Sequence, residues 1–426
     1  MPCNFLDAGH TVKLDDATKK YQMAESGSKG LGEATRETSP AGWKAWVFGK
    51  IWYIVTTVTL FLITTIILLV YFLRFHRRTA PTASRPNFCP TNISASIQLA
   101  NDFWQTVYPT PPLGPDALSW EDGTYFSGNL AAYTATGIDR YYTYAVDWAT
   151  SNSFSFAPRP PNNEADYLCI GYGYIILYLL DPNRPANYIH SIETVILNQT
   201  NSPRVDLWTW VDALHMAMPQ FAHLSLIRNN PRYLDKMYAL FNYTKREVGG
   251  SGLWDPSKNL WWRDKSFIGQ NVYWSRGNGW AIAALAKVLD VLPRSDAHYQ
   301  EYVSTLQEMG TALAATQQDD GYWYVNLGNS TDYPGPESSG TLFFIYGITW
   351  GINQGFFDAA TYGPIIAKAW NSIIDSALAP NGRLMYVQGP GFKPASKQPV
   401  TTNSTYDFGV GAFLLAGSEL VKLCGK

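Results

Sequence analysis

The sequence predicts an all-α fold, a closed toroid of six helical hairpins (an (α/α)6 barrel), preceded by one transmembrane helix. Three observations predict it. Residues 91–426 keep a helical apolar period almost throughout, and no strongly alternating strand interrupts it. Several of these helices, such as ALHMAMPQFAHLSLI and AIAALAKVLDVL, are apolar on more than one side. Such helices belong in the inner ring of a two-layered toroid, with more polar helices outside. Residues 51–73, finally, run for 23 residues without a charge.

The elements follow in chain order. Residues 1–50 carry seven basic and six acidic side chains, frequent Gly, Ser and Thr, and no apolar period, which predicts a disordered polar tail. The stretch 51–73 is long enough, at about 1.5 Å rise per residue, to cross a hydrocarbon layer of roughly 30 Å. Trp52, Tyr53 and Tyr71 stand at its ends as an interfacial belt would. It lies too far from Met1, and is too long, for a cleaved signal peptide. Residues 74–90, with Pro81, Pro86 and Pro90, form a linker. The globular part, 91–426, carries candidate helices at 94–107, 128–150, 166–180, 186–198, 208–228, 231–246, 279–292, 297–317, 340–357, 362–377 and 409–423.

Two signals for membrane orientation oppose each other. Arg74, Arg77 and Arg78 follow the span closely, which by the positive-inside rule draws the globular part to the cytosol. Five Asn-X-Ser/Thr sequons (Asn92, Asn198, Asn242, Asn329 and Asn403) all follow the span, and they accept glycans only on the lumenal side. The sequons favour a type II protein with its globular part lumenal or extracellular.

Composition excludes several functions. Net charge is -2, and 15% of residues are charged, so the basic stripe of a nucleic-acid binder is missing. Four cysteines without CxxC or His-rich spacing suggest neither a disulfide scaffold nor a metal site. Neither a metal nor another cofactor is expected. Aromatics also reach 15%; most belong in a core, but such a surplus with few charges suits the stacking of sugar rings.

Six segments carry the chemistry. In DLWTWVDALHMAMP (206–219), Asp212 opens a helix beside Trp208 and Trp210, and His215 stands one turn on. The plain alternative for Asp212 is an acid favoured by the helix dipole; for His215 it is a packed core residue. In NVYWSRGNGWAIAAL (271–285), Trp274, Arg276 and Trp280 span a Gly-rich helix entry. Arg276 has the fork to clamp a carboxylate, or else is a buried structural residue. LWWRDKSFI (260–268) holds the Arg263–Asp264 pair, and NNEADYLCIGYGYIILYL (162–179) opens a helix at Asp166. The remaining two are QQDDGYWY (317–324) and ESSGTLFFIYGITWGINQGFF (337–357).

Taken in this order and with the closing YDFGVGAFLLAGSEL (406–420), these segments resemble glycoside hydrolase families 105 and 88, the unsaturated glycuronyl hydrolases. The resemblance runs from about residue 100 to residue 422. It implies the (α/α)6 barrel and an oligosaccharide substrate whose terminal uronate carries a C4=C5 double bond, with pectic rhamnogalacturonan the usual source. It implies Asp212 as general acid and then base, Asp166 as a second catalytic carboxylate, and Trp208, Trp210, His215, Arg263, Trp274, Arg276 and Trp280 around the substrate. Some relatives carry His where this chain has Arg263–Asp264, which bears on substrate preference. The expected form is a monomer.

Two other readings compete. QQDDGYW has the form of a turn found in terpene-cyclase toroids, but no Asp-rich cluster accompanies it. A membrane-anchored carbohydrate-binding protein without catalysis is the other. As for cysteines, Cys169 lies in an apolar run and should be buried and reduced. Cys89 and Cys424 lie at the two ends of the globular part, which meet in a closed toroid, and an oxidising compartment would join them.

Overall fold

The computed structural model describes residues 86–156 and 165–425, with scattered positions between 50 and 65. The chain divides into two compact units, 1–83 and 84–426. In the first unit the described positions are helical, and threonine hydroxyls turn back onto the backbone there. Thr56 donates to Trp52 O at 2.9 Å, Thr59 to Val55 O at 2.8 Å and Thr65 to Phe61 O at 2.8 Å. Most of the expected span at 51–73 and the linker to residue 85 lie outside the described residues. Among the described residues no helix is long and apolar enough to cross a membrane.

The second unit is built from helices. In chain order they are α1 (Ile93–Val107), α2 (Trp120–Thr136), α3 (Asp139–Ser151), α4 (Cys169–Leu180), α5 (His190–Asn201), α6 (Ala213–Arg228), α7 (Arg232–Arg246), α8 (Ser275–Leu289), α9 (Tyr299–Thr316), α10 (Ser338–Asn353), α11 (Ala359–Ser372) and α12 (Asp407–Cys424). Six of them, α2, α4, α6, α8, α10 and α12, pack each against the next, and α12 returns to α2. That closes the inner ring of the expected toroid. Two of its members are buried on every side. In α8 each residue from Ser275 to Leu289 is buried, and in α10 each from Ser338 to Ile352. The outer α7 is amphipathic, burying Tyr233, Met237, Leu240 and Phe241 on one stripe.

Closure of the ring depends on a glycine pair. A Cβ on Gly128 of α2 would stand 2.4 Å from the carbonyl oxygen of Gly411, and one on Gly411 of α12 would stand 2.5 Å from Thr124 O. Only glycine lets these two backbones meet. At the end of α12, Cys424 is joined to Cys89 as a disulfide with Cα atoms 5.6 Å apart, while Cys169 is free and buried.

Several boundaries differ from the sequence reading. The stretch 128–150 is two helices, because Gly137 (φ 73°) caps α2 in the left-handed conformation and α3 starts afresh at Asp139. The stretch 208–228 becomes helical only at Ala213. Before it, Trp210 bridges Asp264 and the Val211 amide donates to Arg263 O at 2.8 Å. A short unexpected hairpin pairs Trp254–Asp255 (β1) with Leu260–Trp261 (β2). The QQDDGYW turn is structural: the Gln317 side chain ties Gly321 O to Ile365 O, and Trp323 is fully buried.

Candidate active site

The first turns of the inner helices converge at one end of the toroid. There a cavity of about 210 Å³ is lined by Glu121, Asp166, Asp212, Arg263 and Arg276, with Trp120, Trp274, Trp280 and Met216 as apolar walls and Pro390, Gly391 and Phe392 at one side. Helix N-termini favour negative charge, so this end suits an anionic ligand.

Asp212 occupies the position before α6 yet caps nothing: its side chain makes no hydrogen bond to the helix amides. The dipole-stabilised cap that would explain an acid here is therefore not what it does. Its Oδ2 lies 3.5 Å from Arg263 Nε, and its Oδ1 has no hydrogen-bond partner among the described residues. Burial raises its pKa above the ordinary carboxylate range, and the charges of Arg263 and Arg276 offset only part of that rise. The β-bridge at Trp210–Asp264 carries Arg263 to this position. Arg263 Nη1 also donates to Asp264 Oδ2 at 3.0 Å. Burial would raise Asp264, but the bonds from Ser266 and Arg263 hold it low. One arginine thus faces one raised and one depressed carboxylate. Asp166 stands in a single 3-10 turn, Ala165–Leu168, ahead of α4 and reaches the same cavity.

Arg276, 1% exposed, stacks over Trp274 at 4.5 Å and Phe408 at 5.1 Å. Two of its donors hold the backbone of the opposite loop, at Gln388 O and, at 3.0 Å, Gly389 O. Gln388 is the junction. Its amide N–H donates to Glu337 Oε1 at 3.1 Å, its Oε1 accepts from Trp274 Nε1 at 2.8 Å, and its Nε2 donates to Pro394 O and Ser396 O. Glu337 in turn caps α10 by accepting from the Ser339 and Gly340 amides. The loop carrying Phe392, 79% exposed, is thereby anchored beside the catalytic carboxylate candidate.

Three expected residues do not reach the cavity. Trp208 is fully buried, edge-on to Phe221, with its carbonyl held by Thr244 of the outer helix α7; it faces the outer layer. Trp210, whose backbone bridges Asp264, is half-buried against the hydrophobic core and does not line the cavity. His215 lies against Trp280, its ring centroid 4.6 Å away, and takes a hydrogen bond from Lys287 Nζ at 3.0 Å. Burial and the Lys287 charge push its pKa well down, so it is a neutral packing residue. Conversely, the sequence reading passed over Trp120, Glu121, Met216, Gln388 and Phe392. Only Ser119-Trp-Glu-Asp122, a capping box, marked a helix entry there.

Among the described residues no cluster of three or more His, Cys, Asp or Glu is arranged to hold a metal.

The model of Glycosyl Hydrolase Family 88 matches residues 97–424. The chain belongs to glycosyl hydrolase family 88. It is therefore a glycoside hydrolase, and the family's helical toroid is the architecture described above. This family 88 chain is 30% identical over 345 residues to the unsaturated 3S-rhamnoglycuronyl hydrolase of Formosa agariphila, covering 75% of this chain and 88% of that protein. A glycosyl hydrolase family 88 protein from Bacteroides vulgatus has a solved structure at 34% identity and TM-score 0.72, covering 78% of this chain and 99% of that one. A solved protein named Polysaccharide Lyase BACCELL_00875 is 35% identical at TM-score 0.71, covering 78% and 97%.

Proposed function

We propose that the chain releases the terminal C4=C5 unsaturated uronate from oligosaccharides left by a polysaccharide lyase, with Asp212 as general acid and then base. The observation that carries this is a buried carboxylate with a raised pKa, one unpartnered oxygen and two arginines beside it, in a cavity walled by tryptophans. The substrate's double bond is an enol ether. Protonated Asp212 delivers its proton to C4, and positive charge develops at C5, shared with the ring oxygen. The carboxylate so formed removes a proton from water as its oxygen bonds to C5. Asp212 regains its proton, and the product is a hemiketal. Ring opening leaves a ketone at C5 and a hemiacetal at C1, which expels the leaving saccharide as an alcohol. One carboxylate serves both steps, so the separation rule for ordinary paired-carboxylate glycosidases does not apply. General acid and base catalysis of this kind contributes roughly 10²–10⁴-fold. Arg263 and Arg276 supply positive charge for the uronate carboxylate, Trp274 and Trp280 bound the ring, and Asp166 is the second carboxylate acting at the substrate. Pectic rhamnogalacturonan is the proposed source of the oligosaccharide.

The direction of the absorbance change separates this reading from a lyase. A lyase creates the C4=C5 chromophore from intact polysaccharide; the proposed hydrolase destroys it in lyase-generated fragments. Rising absorbance on polymer, with none lost on fragments, contradicts the proposal. A carbohydrate-binding protein without catalysis leaves absorbance unchanged.

We further propose a type II membrane protein with the toroid lumenal or extracellular. Support comes from the uncharged 51–73 stretch, from back-bonded threonines that hide their hydroxyls there, and from the Cys89–Cys424 bond. Asn92, Asn198, Asn329 and Asn403 are exposed, and Asn242 is half-buried. Extraction of the full chain only with detergent, and a mass shift on glycan removal, are the expected results. Recovery in carbonate-washed supernatant, without glycan, contradicts both.

A further inference from the structure

A cavity of about 290 Å³ opens at the opposite end of the toroid from Asp212, where the inner helices finish. It is lined by Tyr172 of α4, Lys287 of α8, Asp290 just past the end of α8, Tyr346 and Trp350 of α10, and Glu419 of α12. Arg276 lines the first cavity and Lys287 the second, both on α8. At 1.5 Å rise per residue, roughly 16 Å of helix separates them.

Two of these side chains are buried with hydrogen-bonding capacity unspent. Lys287, 2% exposed, gives one N–H to His215 Nε2 and lies over the Tyr172 ring at 4.3 Å. It forms no ion pair among the described residues. Tyr346 is 7% exposed, and its hydroxyl has no hydrogen-bond partner among the described residues. A buried polar group without a partner is costly unless a bound molecule supplies one. Asp290 Oδ1 accepts from Trp350 Nε1 at 3.0 Å, which leaves Oδ2 as a further acceptor. Glu419 is already answered: Oε1 takes Lys422 at 2.5 Å, and Oε2 takes Asn353 Nδ2 at 2.9 Å.

Charge in this cavity is balanced, with Lys287 and Lys422 against Asp290 and Glu419. Burial pushes Lys287 down to about 8, so it keeps most of its charge at neutral pH. Burial raises Tyr172 and Tyr346, which act as neutral hydroxyls. An anion would share the space with two carboxylates and the negative ends of the helices, and a cation with two ammoniums. An uncharged sugar meets neither conflict. Its hydroxyls accept from Lys287 and Tyr346 and donate to Asp290 Oδ2, and its apolar face finds the rings of Tyr346 and Trp350. The volume is at the lower end of the roughly 300–1,000 Å³ of small-molecule sites, which suits one ring rather than a chain.

We infer that this far-end cavity binds a single uncharged sugar unit, held by Lys287, Tyr346 and Asp290, and fills independently of the catalytic cavity. No step of the hydrolase reading enters this inference. Such a site lets the protein hold a neutral sugar while the other end of the ring is at work.

The test uses the whole chain and three hexoses of one ring geometry but different charge: D-galactose, D-galacturonate and D-galactosamine. Isotope-labelled galactose, followed by ligand-detected NMR, should bind wild type with a Kd on the order of millimolar. Tyr346→Phe deletes only an unpartnered hydroxyl, so the variant should fold as wild type does and bind galactose about threefold or more weakly. Unlabelled galacturonate and galactosamine should displace the labelled galactose only at about tenfold higher concentration than unlabelled galactose does. No binding of galactose below about 50 mM, or wild-type affinity in Tyr346→Phe, overturns the site. Displacement by either charged hexose as readily as by galactose overturns its selection of an uncharged ligand.

Discussion

Asp212 and Arg263 face each other at 3.5 Å without forming a tight ion pair, and the second oxygen of the carboxylate has no partner among the described residues. A close two-pronged pair would hold the carboxylate ionised. This geometry does not, and burial raises the pKa of Asp212 even beside two arginines. An acid that must give up its proton to carbon is served by that balance.

The first prediction concerns pH. The acid works in its protonated form, so kcat/KM falls as pH rises through the folded pKa of Asp212. Arg263 lowers that pKa. Arg263→Gln removes the lowering charge, so the falling limb moves to higher pH even if the maximal rate drops. A pH–rate profile checks this. A limb that stays in place, or moves to lower pH, shows that Arg263 does not tune Asp212.

A second prediction follows from Gln388. It is fully buried and joins Glu337, Trp274, Arg276 and the loop ending at Ser396. Gln388→Ala strands several buried donors and acceptors at once, each worth about 1–3 kcal/mol, so the loss should be at least about 2 kcal/mol. Denaturant unfolding measures it. Activity should fall too, because the loop carrying Phe392 loses its anchor. A variant of wild-type stability would mean that the junction is peripheral.

A third concerns Cys89 and Cys424. Closing a loop of 335 residues stabilises by on the order of 5 kcal/mol in the chain-entropy model, and measured gains are often smaller. Cys89→Ser should therefore lower the midpoint of unfolding. In the native protein Cys169 should resist alkylation, since burial pushes its thiol up to about 12. Mass spectrometry of alkylated native protein showing Cys89 and Cys424 both labelled would contradict the structure.

Much of the fold and the site was legible in the sequence, for physical reasons. Inner helices such as α8 and α10 are buried on every side, and their all-round apolar pattern, with the number of helices, pointed to a two-layered ring. Asp212, Asp166, Arg263, Trp274, Arg276 and Trp280 were readable because each sits at a helix entry or beside one, where the chain turns toward the cavity. Trp208, Trp210 and His215 misled for one reason: proximity in sequence to Asp212 does not fix direction. The Trp208 ring packs edge-on against Phe221, Trp210 packs against the core, and His215 is directed to Lys287. Gln388 and Phe392 lie in a loop without periodicity, and the partners that tie Gln388 to the helices, Trp274, Arg276 and Glu337, are more than fifty residues away. No local pattern encodes that. The break at Gly137 was a local signal, a glycine near an expected helix centre, that the apolar period outweighed.

The central claim is that Asp212 moves the proton. Its most direct test follows the C4=C5 absorbance of a lyase-generated oligosaccharide with wild type and with Asp212→Asn. Asn has nearly the same shape but cannot shuttle a proton. Wild type should remove the absorbance steadily. The variant should remain folded, still bind the oligosaccharide, and leave the absorbance essentially unchanged, with kcat reduced by roughly 10²-fold or more. Retention of more than about a tenth of wild-type kcat, well short of the loss expected for a general acid, would contradict the assignment.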